Sequence, residues 1–390
     1  MKRACVWAAL VTVVVLSGLV ARADGQNVAE TKAPATAPSG TGSSAAAAGS
    51  GVSSTPLAQW KHWPESDIHP DDGVVFGVAV DRITGDLFII LKPSAKAWGG
   101  KSEIGKSTDL AKTFSKAKNT IDGALLSSYA FTFDPSGKKM AFFLMYGSGG
   151  LSTDGGVNWT PFGSVKPKDF DCGVVDWDGG GKTCLALTHE AKGLLVLSND
   201  SGATWKELGT GFTSPVGLFD AKTLISGKGR DLQRSTDGGE TWTKVGDAPQ
   251  ADRRIQSVVV LKGVGYLATE KGLLASKDKG ATWVPYGNPV DISGAQKKFR
   301  PAGPFFGANE KHIVLVGLDG VFQTADGAAH WTKVAPFPES INAGESSVAW
   351  DPVHNIIYGC CRKAPAVCCQ LPPLQEPANN QKPPRPSGVQ

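Results

Sequence analysis

One turn motif recurs six times in this 390-residue chain and constrains the fold more than any other feature. Its full form is Ser-x-Asp-x-Gly-x-Thr-Trp, and four copies are close to that form. Two copies are degraded: the one at Ser107 lacks the glycine and ends in Phe114, and the one at Thr324 also lacks the glycine. The repeated aspartates are Asp109, Asp154, Asp200, Asp237, Asp278 and Asp326. The repeated tryptophans are Trp159, Trp205, Trp242, Trp283 and Trp331.

The motif has the chemistry of a tight hairpin turn. An Asp carboxylate accepts backbone N–H bonds inside such a turn, and a Ser hydroxyl adds another polar contact. A glycine tolerates the positive φ at which a chain reverses. Thr and Trp favour the next strand, where the indole covers the hairpin. We therefore expect the repeated aspartates to be structural rather than catalytic.

The spacing of the motif indicates a β-propeller. Successive copies lie roughly 40 residues apart, which suits one four-stranded antiparallel blade per copy. Three short apolar runs precede each of the best copies, for example Cys172–Asp176, Thr183–Thr188 and Leu194–Ser198 before Asp200. The motif would then join the third strand of a blade to the fourth.

A seventh blade is expected without a motif of its own. Ser346–Trp350, Ile356–Cys361 and Val367–Leu371 supply three strands. The fourth would come from Leu57–Trp63 at the start of the domain, which would close the ring and remove an open sheet edge. The sequence thus predicts an all-β, seven-bladed propeller of four-stranded antiparallel blades, with six blades as the alternative.

These repeats resemble the Asp-box (bacterial neuraminidase repeat) propeller superfamily, over about Val74 to Trp331. That superfamily includes sialidases, xyloglucan-cleaving glucanases, sortilin-type receptors and the photosystem II assembly factors. The overall layout is most similar to the single-propeller members. The resemblance implies that the box aspartates lie on the outer rim, away from any ligand.

The two ends of the chain have a different composition. Residues 1–23 are typical of a secretory signal peptide, with Lys2 and Arg3 before an apolar run; a retained anchor is the alternative. Residues 24–54 form an Ala/Ser/Gly linker and residues 372–390 a Pro-rich tail, and both are expected to be disordered. The propeller would occupy residues 55–371, secreted or in the periplasm or cell envelope, with no membrane span after cleavage.

The cysteines fit an oxidising compartment. Cys5 lies in the signal, which leaves two places for cross-strand disulfides. Cys172 and Cys184 lie on neighbouring apolar runs. In the last hairpin, Cys361 would face Cys368 and Cys360 would face Cys369. A four-thiolate zinc site in that hairpin is the alternative, although its spacing is unusual for zinc. The histidines form no metal pattern, so no metal or cofactor is expected.

Blade topology predicts where a ligand binds. Turns after the second strand and between blades share the end opposite the boxes, and propeller ligands usually bind at such a channel mouth. The candidates for this binding face are His69, Trp98, His189, Arg230, Asp231, Arg253, Arg254, Glu270, Arg300 and Glu345. The candidate catalytic carboxylates are Asp71, Asp72, Asp171 and Glu190.

Function is less directly readable from the sequence. A sialidase needs an arginine cluster and a Tyr nucleophile with a Glu partner. The family's Phe/Tyr-Arg-Ile-Pro motif is missing before the first box, where Arg82 is the only arginine between Leu57 and Asp109. We expect a monomeric, exported, non-catalytic scaffold that binds a protein or a glycan but no nucleic acid. The alternative is a sialidase-like or xyloglucanase-like glycoside hydrolase with a carboxylate pair at the channel mouth.

Overall fold

A computed structural model describes most of the region from residue 56 to residue 374. The described ranges are 56–62, 74–93, 96, 100–123, 131–134, 138–163, 169–189, 191–249, 257–293, 301–338, 341, 346–361 and 364–374. Across these ranges the chain forms strands and turns, and no helix there is long and apolar enough to cross a membrane.

The strands form seven antiparallel sheets, one per blade. In blades 1 to 6, the strand nearest the channel comes first in sequence and its neighbours follow outwards, whereas blade 7 takes its outermost strand, β1, from the start of the domain. The first three blades contain β2 Val74–Val80, β3 Leu87–Lys92, β4 Lys101–Ser107, β5 Ser115–Lys116, β6 Ile121–Asp122, β7 Phe131–Phe133, β8 Met140–Phe142, β9 Gly150–Ser152, β10 Thr160–Pro161, β11 Phe170–Val175, β12 Cys184–Thr188, β13 Leu195–Ser198 and β14 Lys206–Gly209. Here β6 is an extra strand that pairs with β4.

The remaining blades repeat the pattern. Blades 4 to 6 contain β15 Thr213–Leu218, β16 Leu224–Lys228, β17 Asp231–Ser235, β18 Thr243–Asp247, β19 Val259–Leu261, β20 Val264–Thr269, β21 Gly272–Ser276, β22 Val284–Tyr286, β23 Ala302–Phe306, β24 Ile313–Gly317, β25 Gly320–Thr324 and β26 Thr332–Ala335. Blade 7 contains β27 Ser346–Asp351, β28 Ile356–Cys361, β29 Ala364–Gln370 and β1 Lys61–His62. The prediction of seven four-stranded blades is confirmed.

The two ends of the domain meet in blade 7, as the sequence predicted. Strand β1 pairs antiparallel with β29, with Lys61 opposite Cys368 and His62 opposite Val367. The Trp60 indole donates a hydrogen bond to the Pro336 carbonyl, 2.7 Å away, which ties the same segment to blade 6. The ring is therefore closed by hydrogen bonds between the start and the end of the domain.

Each Asp box is a compact hydrogen-bonded turn. In the copy at Ser235, the hydroxyl donates to Asp237 Oδ1 (2.7 Å) and accepts the N–H of Gly239 (2.9 Å). Asp237 then accepts the N–H of Thr241 at Oδ1 (3.0 Å) and its hydroxyl at Oδ2 (2.5 Å). Four hydrogen bonds thus fix the turn, and the residues that make them all lie within a stretch of seven.

The two degraded copies keep the same bonds. Asp109 accepts both groups of Thr113, and in the last copy His330 Nδ1 lies 2.6 Å from Asp326 Oδ2. An alanine stands at the glycine position in both copies and has a left-handed backbone conformation, with φ of 64° at Ala111 and 69° at Ala328. The turn therefore tolerates the substitution at a cost in backbone strain.

The boxes also join neighbouring blades. The motif glycine packs so closely on the preceding blade that an added Cβ would lie 2.5 Å from Phe88 at Gly156 and 2.2 Å from Phe162 at Gly202. Within its own blade, the residue after the box aspartate donates its N–H to the turn between strands one and two, as Ser201 does to Lys182 O at 2.7 Å. The box is thus both a hairpin turn and a contact point between blades.

The disulfide prediction is wrong for the described cysteines, among which no disulfide bond forms. Strand register separates the expected partners. Cys369 lies opposite Ile357 and Cys368 opposite Tyr358, because the hairpin turns after Cys361, which pairs with Ala364. The two cysteines of each expected pair are therefore offset from each other by about 10 Å along the strands, which exceeds the Cα–Cα distance that a disulfide can bridge.

Cys172 and Cys184 are offset in the same way. They occupy opposite ends of the β11–β12 ladder, where Cys172 lies opposite Leu187 and Cys184 opposite Val175. Both side chains are fully buried, and burial raises the pKa of each thiol; that of Cys184 rises to about 12. Such thiols behave as small core residues rather than reactive groups.

Acid should weaken the propeller through its boxes. Hydrogen bonds, chiefly from the residue four positions on and then from the serine, lower the pKa of Asp109, Asp200 and Asp278 to about 2. Because an unfolded Asp titrates near about 3.9, the stability that these carboxylates supply is present above that pH and lost as pH falls towards 2. We expect urea midpoints to fall steeply between about pH 4 and pH 2.

The same measurement identifies the boxes as the cause. Asp237→Asn should lower the urea midpoint at pH 7, and the difference from wild type should shrink in acid. Asp247→Asn is the matched control, because Asp247 is largely exposed and bonded only through a surface ion pair with Lys244. A constant difference for Asp237→Asn between pH 7 and pH 2 would contradict this account.

The left-handed alanines offer an opposite test. Ala111→Gly removes the strain of a Cβ at positive φ and should raise the free energy of unfolding by up to about 1 kcal/mol, after the entropic cost of glycine. Gly202→Ala should lower the free energy of unfolding by more than about 1 kcal/mol, because the Cβ of the alanine would collide with the Phe162 ring. Chemical denaturation measures both, and a destabilised Ala111→Gly variant would exclude backbone strain at that turn.

Candidate functional site

A cavity of about 380 Å³ lies in the central channel. Its walls are the second halves of the inner strands, including Val78–Val80, Gly173–Val175, Gly303–Phe306 and Val348–Trp350. In each blade these strands run towards the turn that joins strand one to strand two, which lies at the same end as the Asp boxes. The cavity therefore belongs to the half of the channel nearest the boxes.

The cavity walls are mostly apolar and rich in aromatic rings. Phe131, Phe133 and Phe305 line the cavity and are only partly buried, and the first two also pack against a core cluster that includes Phe88. Phe131 and Phe133 lie 4.2 Å apart between ring centroids. Trp177 completes this side, and its indole donates a hydrogen bond to Thr132 Oγ1 on the neighbouring blade (2.8 Å). Such a surface binds apolar or flat groups.

Charged side chains lie only at the rim of the cavity. Asp134, Asp176 and Asp178 come from blades 2 and 3, and Arg82 and Lys262 come from blades 1 and 5. Burial raises the pKa of Asp176, a hydrogen bond from the Gly179 N–H opposes the rise, and nearby acidic groups add to it. The carboxylates are thus concentrated beside the aromatic side of the rim.

The two rim cations are turned towards blade 6. Arg82 donates to the Gly307 carbonyl at 2.9 Å, and Lys262 Nζ lies 2.6 Å from Glu310 Oε1. Burial lowers the pKa of Arg82, and the carboxylates of Glu310 and Asp81 oppose this shift. The rim is therefore electrostatically uneven, with acidic groups on one side and paired cations on the other.

A second recurrent aspartate shapes this end and was missed from the sequence. In five blades the inner strand ends in an aspartate, at Asp81, Asp134, Asp176, Asp220 and Asp351. Most cap their own turn: Asp351 Oδ1, for example, accepts the N–H groups of Val353 (2.8 Å) and His354 (3.1 Å). A strand of alternating apolar residues followed by Asp was the signal that could have revealed them.

Most of the sequence-predicted site residues lie outside the described ranges. They are the binding-face candidates His69, Trp98, Arg253, Arg254, Arg300 and Glu345, and the catalytic candidates Asp71, Asp72 and Glu190. Their roles stay predictions. The remaining candidates can be placed.

The fold brings two of the remaining candidates together. His189 Nδ1 lies 2.6 Å from Asp171 Oδ1, and both side chains are about one-fifth exposed. Tyr146 packs edge-on against the imidazole, with ring centroids 5.3 Å apart. The group lies at the end opposite the boxes, where it was expected, but neither Asp171 nor His189 lines the cavity.

The other described candidates occupy separate turns at that end. Arg230 and Asp231 lie at the β16–β17 turn, where Lys244 Nζ contacts Asp231 (2.7 Å) and Asp247 (2.9 Å). Glu270 lies in the β20–β21 turn. None of the three lines the cavity. Within the part of the chain that the structure describes, the cavity and the expected binding face are thus at opposite ends.

The lining of the cavity indicates which ligands would fit it. Among the described residues, no group of three or more His, Cys, Asp or Glu side chains is arranged to hold a metal ion. The rim can offer carboxylates to a cation, and the walls can bury apolar groups. The arrangement suits a ligand with an apolar body and a positive charge.

Filling the cavity should block an aromatic probe. Val174 lines the cavity and is partly buried, so Val174→Trp should weaken the binding of the cationic aromatic dye thioflavin T at least about ten-fold by occupying the volume of the cavity. Val284→Trp is the matched control, because Val284 is 55% exposed on an outer strand. Fluorescence titration measures the affinity, and melting curves confirm that both variants fold. Equal probe binding by the two variants would show that the probe site is elsewhere.

Comparison with known proteins agrees with the repeats and the fold. Residues 233–244 match the sequence profile of the BNR/Asp-box repeat family. No curated protein matches the chain in sequence. Among solved structures, the chain is similar to YCF48 bound to D1 peptide, with 12% identity over 83% of this chain and 98% of that chain and a TM-score of 0.47.

Two other solved structures are of different kinds. The β-propeller domain of Cps50 (Swd1) from Myceliophteria thermophila has 11% identity over 76% of this chain and 96% of that chain, with a TM-score of 0.50. The GH74 enzyme of Niastella koreensis has 16% identity over 74% of this chain and 62% of that chain, with a TM-score of 0.29. At identities this low, structural similarity supports the fold alone. The chain is a seven-bladed β-propeller built on Asp-box repeats.

Proposed function

We propose that this propeller is a non-catalytic binding scaffold whose central channel, at the Asp-box end, receives a segment of a protein partner. The observation that carries the proposal is the division of the cavity into apolar, aromatic walls and a charged rim. Such a site buries an apolar side chain while the rim contacts the polar backbone and charges around it.

The walls favour a peptide over a glycan. Sugar hydroxyls need hydrogen-bonding partners when they are buried, since an unsatisfied polar group costs about 1–3 kcal/mol. The partly buried wall side chains of Val174, Val259 and Phe305 cannot supply such partners. A cavity of about 380 Å³ is also near the lower end of small-ligand pockets, which suits one or two side chains.

Glycoside cleavage is the second candidate, because one observation favours it. Asp176 has a raised pKa and lies beside other rim carboxylates, as a general acid in a glycosidase would. However, Asp176 also accepts the Gly179 N–H at 2.7 Å, which gives this carboxylate a structural task in its own turn. We therefore rank binding above catalysis.

Export would bring the scaffold to its partner. The signal-like residues 1–23 and the linker composition of residues 24–54 support this part of the proposal. We propose that the mature propeller acts outside the cytoplasm, on a flexible spacer.

An array experiment can separate the two functions. Full-length protein is applied to arrays of random octapeptides and of glycans, and is assayed with aryl glycosides and xyloglucan. We expect peptides with a large apolar residue to bind, Val174→Trp to abolish binding and Val284→Trp to retain it. Turnover of a glycoside that is lost in Asp176→Asn would overturn the proposal. Failure of every peptide to bind both this protein and its variant Lys382→Glu/Arg385→Glu would also overturn it.

A further inference from the structure

The chain leaves its last strand at the same end as the cavity. Strand β29 ends at Gln370, and the chain continues across the turn between the first two strands of blade 7. There Asn355 Nδ2 donates to the Pro372 carbonyl (2.6 Å), and the Leu371 N–H donates to Asn355 O (2.9 Å). The described chain reaches Leu374, which packs against the apolar core of blades 6 and 7. This is slightly beyond residue 371, where the propeller was expected to end.

The segment after Leu374 has a definite chemistry. Residues 375–390 read Gln-Glu-Pro-Ala-Asn-Asn-Gln-Lys-Pro-Pro-Arg-Pro-Ser-Gly-Val-Gln. Lys382 and Arg385 lie among three prolines, and Glu376 is the only acidic residue of this stretch. Proline-rich sequences with a basic residue favour the polyproline II conformation, which presents prolines and charges at a regular spacing of about 3.1 Å per residue.

The channel mouth has the complementary chemistry. Proline-rich segments bind grooves lined by aromatic rings, and their basic residues pair with carboxylates or lie over aromatic faces. Trp177, Phe131 and Phe133 provide the rings, and Asp134, Asp176 and Asp178 lie beside them on the rim. The rim cations Arg82 and Lys262 are held by blade 6, and Lys279, the cation nearest Asp176, is paired with Asp220 at 2.8 Å.

The distance can be spanned. Neighbouring strands of a blade lie about 4.8 Å apart, so the third strand of blade 7 is about 10 Å from the inner strand. Beyond Leu374, the eight residues from Gln375 to Lys382 can span at most about 26 Å. Length, exit point and charge therefore all favour the same contact.

We propose that the Lys382–Pro386 segment of this chain occupies the acidic, aromatic side of the channel mouth and competes with a partner for it. The proposal rests on the proposed function, because it concerns the same cavity. It makes the propeller a self-occluded scaffold, which a partner engages only by displacing the tail. It also names the ligand class of the site as a basic, proline-rich segment.

The test uses full-length proteins and a fluorescent peptide of residues 375–390. The three proteins are wild type, the tail variant Lys382→Glu/Arg385→Glu, and that variant with Trp177→Ala. A tethered segment has an effective concentration of order mM, so wild type should bind the peptide at least about ten-fold more weakly than the tail variant. Trp177→Ala should weaken binding to the tail variant at least about ten-fold, as measured by fluorescence anisotropy.

Further controls keep the result specific. Asp178→Asn, at an exposed rim position, should also weaken binding to the tail variant and make it less sensitive to salt; Asp247→Asn should change neither. Melting curves establish that the variants fold. Equal peptide affinity of wild type and the tail variant would overturn the proposal, as would binding that Trp177→Ala and Asp178→Asn leave unchanged.

The outcomes for the two proposals differ. If the tail variant binds octapeptides on the array but not the 375–390 peptide, the self-occlusion is wrong and the binding scaffold remains. If it binds neither, both are wrong. If wild type binds array peptides as tightly as the tail variant does, the tail does not compete for the site.

Discussion

The fold depends on one small hydrogen-bonded unit, the Ser–Asp turn. Its bonds to Thr, Asn or His four residues after the aspartate hold the outer hairpin, as in Thr204 with Asp200. Its glycine sets how closely the preceding blade can pack, as Gly239 of blade 4 does against Leu208 of blade 3. Because one unit fixes both the hairpin and the joint between blades, repeating it produces a ring.

The same unit explains why the fold was predictable. The residues that form its hydrogen bonds are close together in sequence, so the six copies could be counted. The spacing between copies then indicated four strands per blade. The closing strand at Lys61 was predicted by requiring that the seventh sheet have no open edge. The cysteine pairing failed for the opposite reason. Whether Cys368 faces Cys361 or Tyr358 depends on a register that a short turn changes without any change in strand positions.

The site was less predictable, because each blade contributes only one or two residues to it. Asp171 and His189 were predicted only to lie at the same end of the propeller, and adjacent strands bring them into contact. The cavity, in contrast, combines Phe131, Trp177 and Phe305 from three distant parts of the chain. The sequence signal for this end of the channel was the aspartate that recurs at the ends of the inner strands. It is a weaker repeat than the Asp box. General experience with propellers then favoured the other end of the channel.

Closure by β1 and β29 has a consequence for biogenesis. The edge of the last sheet is completed by residues that leave the ribosome before any other part of the domain. During synthesis, the Lys61–His62 strand stays unpaired until β29 has been made. Pairing β1 with β29 closes a loop that contains all the other strands. The entropic cost of this closure must be overcome before the ring gains full cooperativity. An interrupted chain would therefore remain an open arc with an exposed strand edge at each end, and such edges pair readily with those of other molecules.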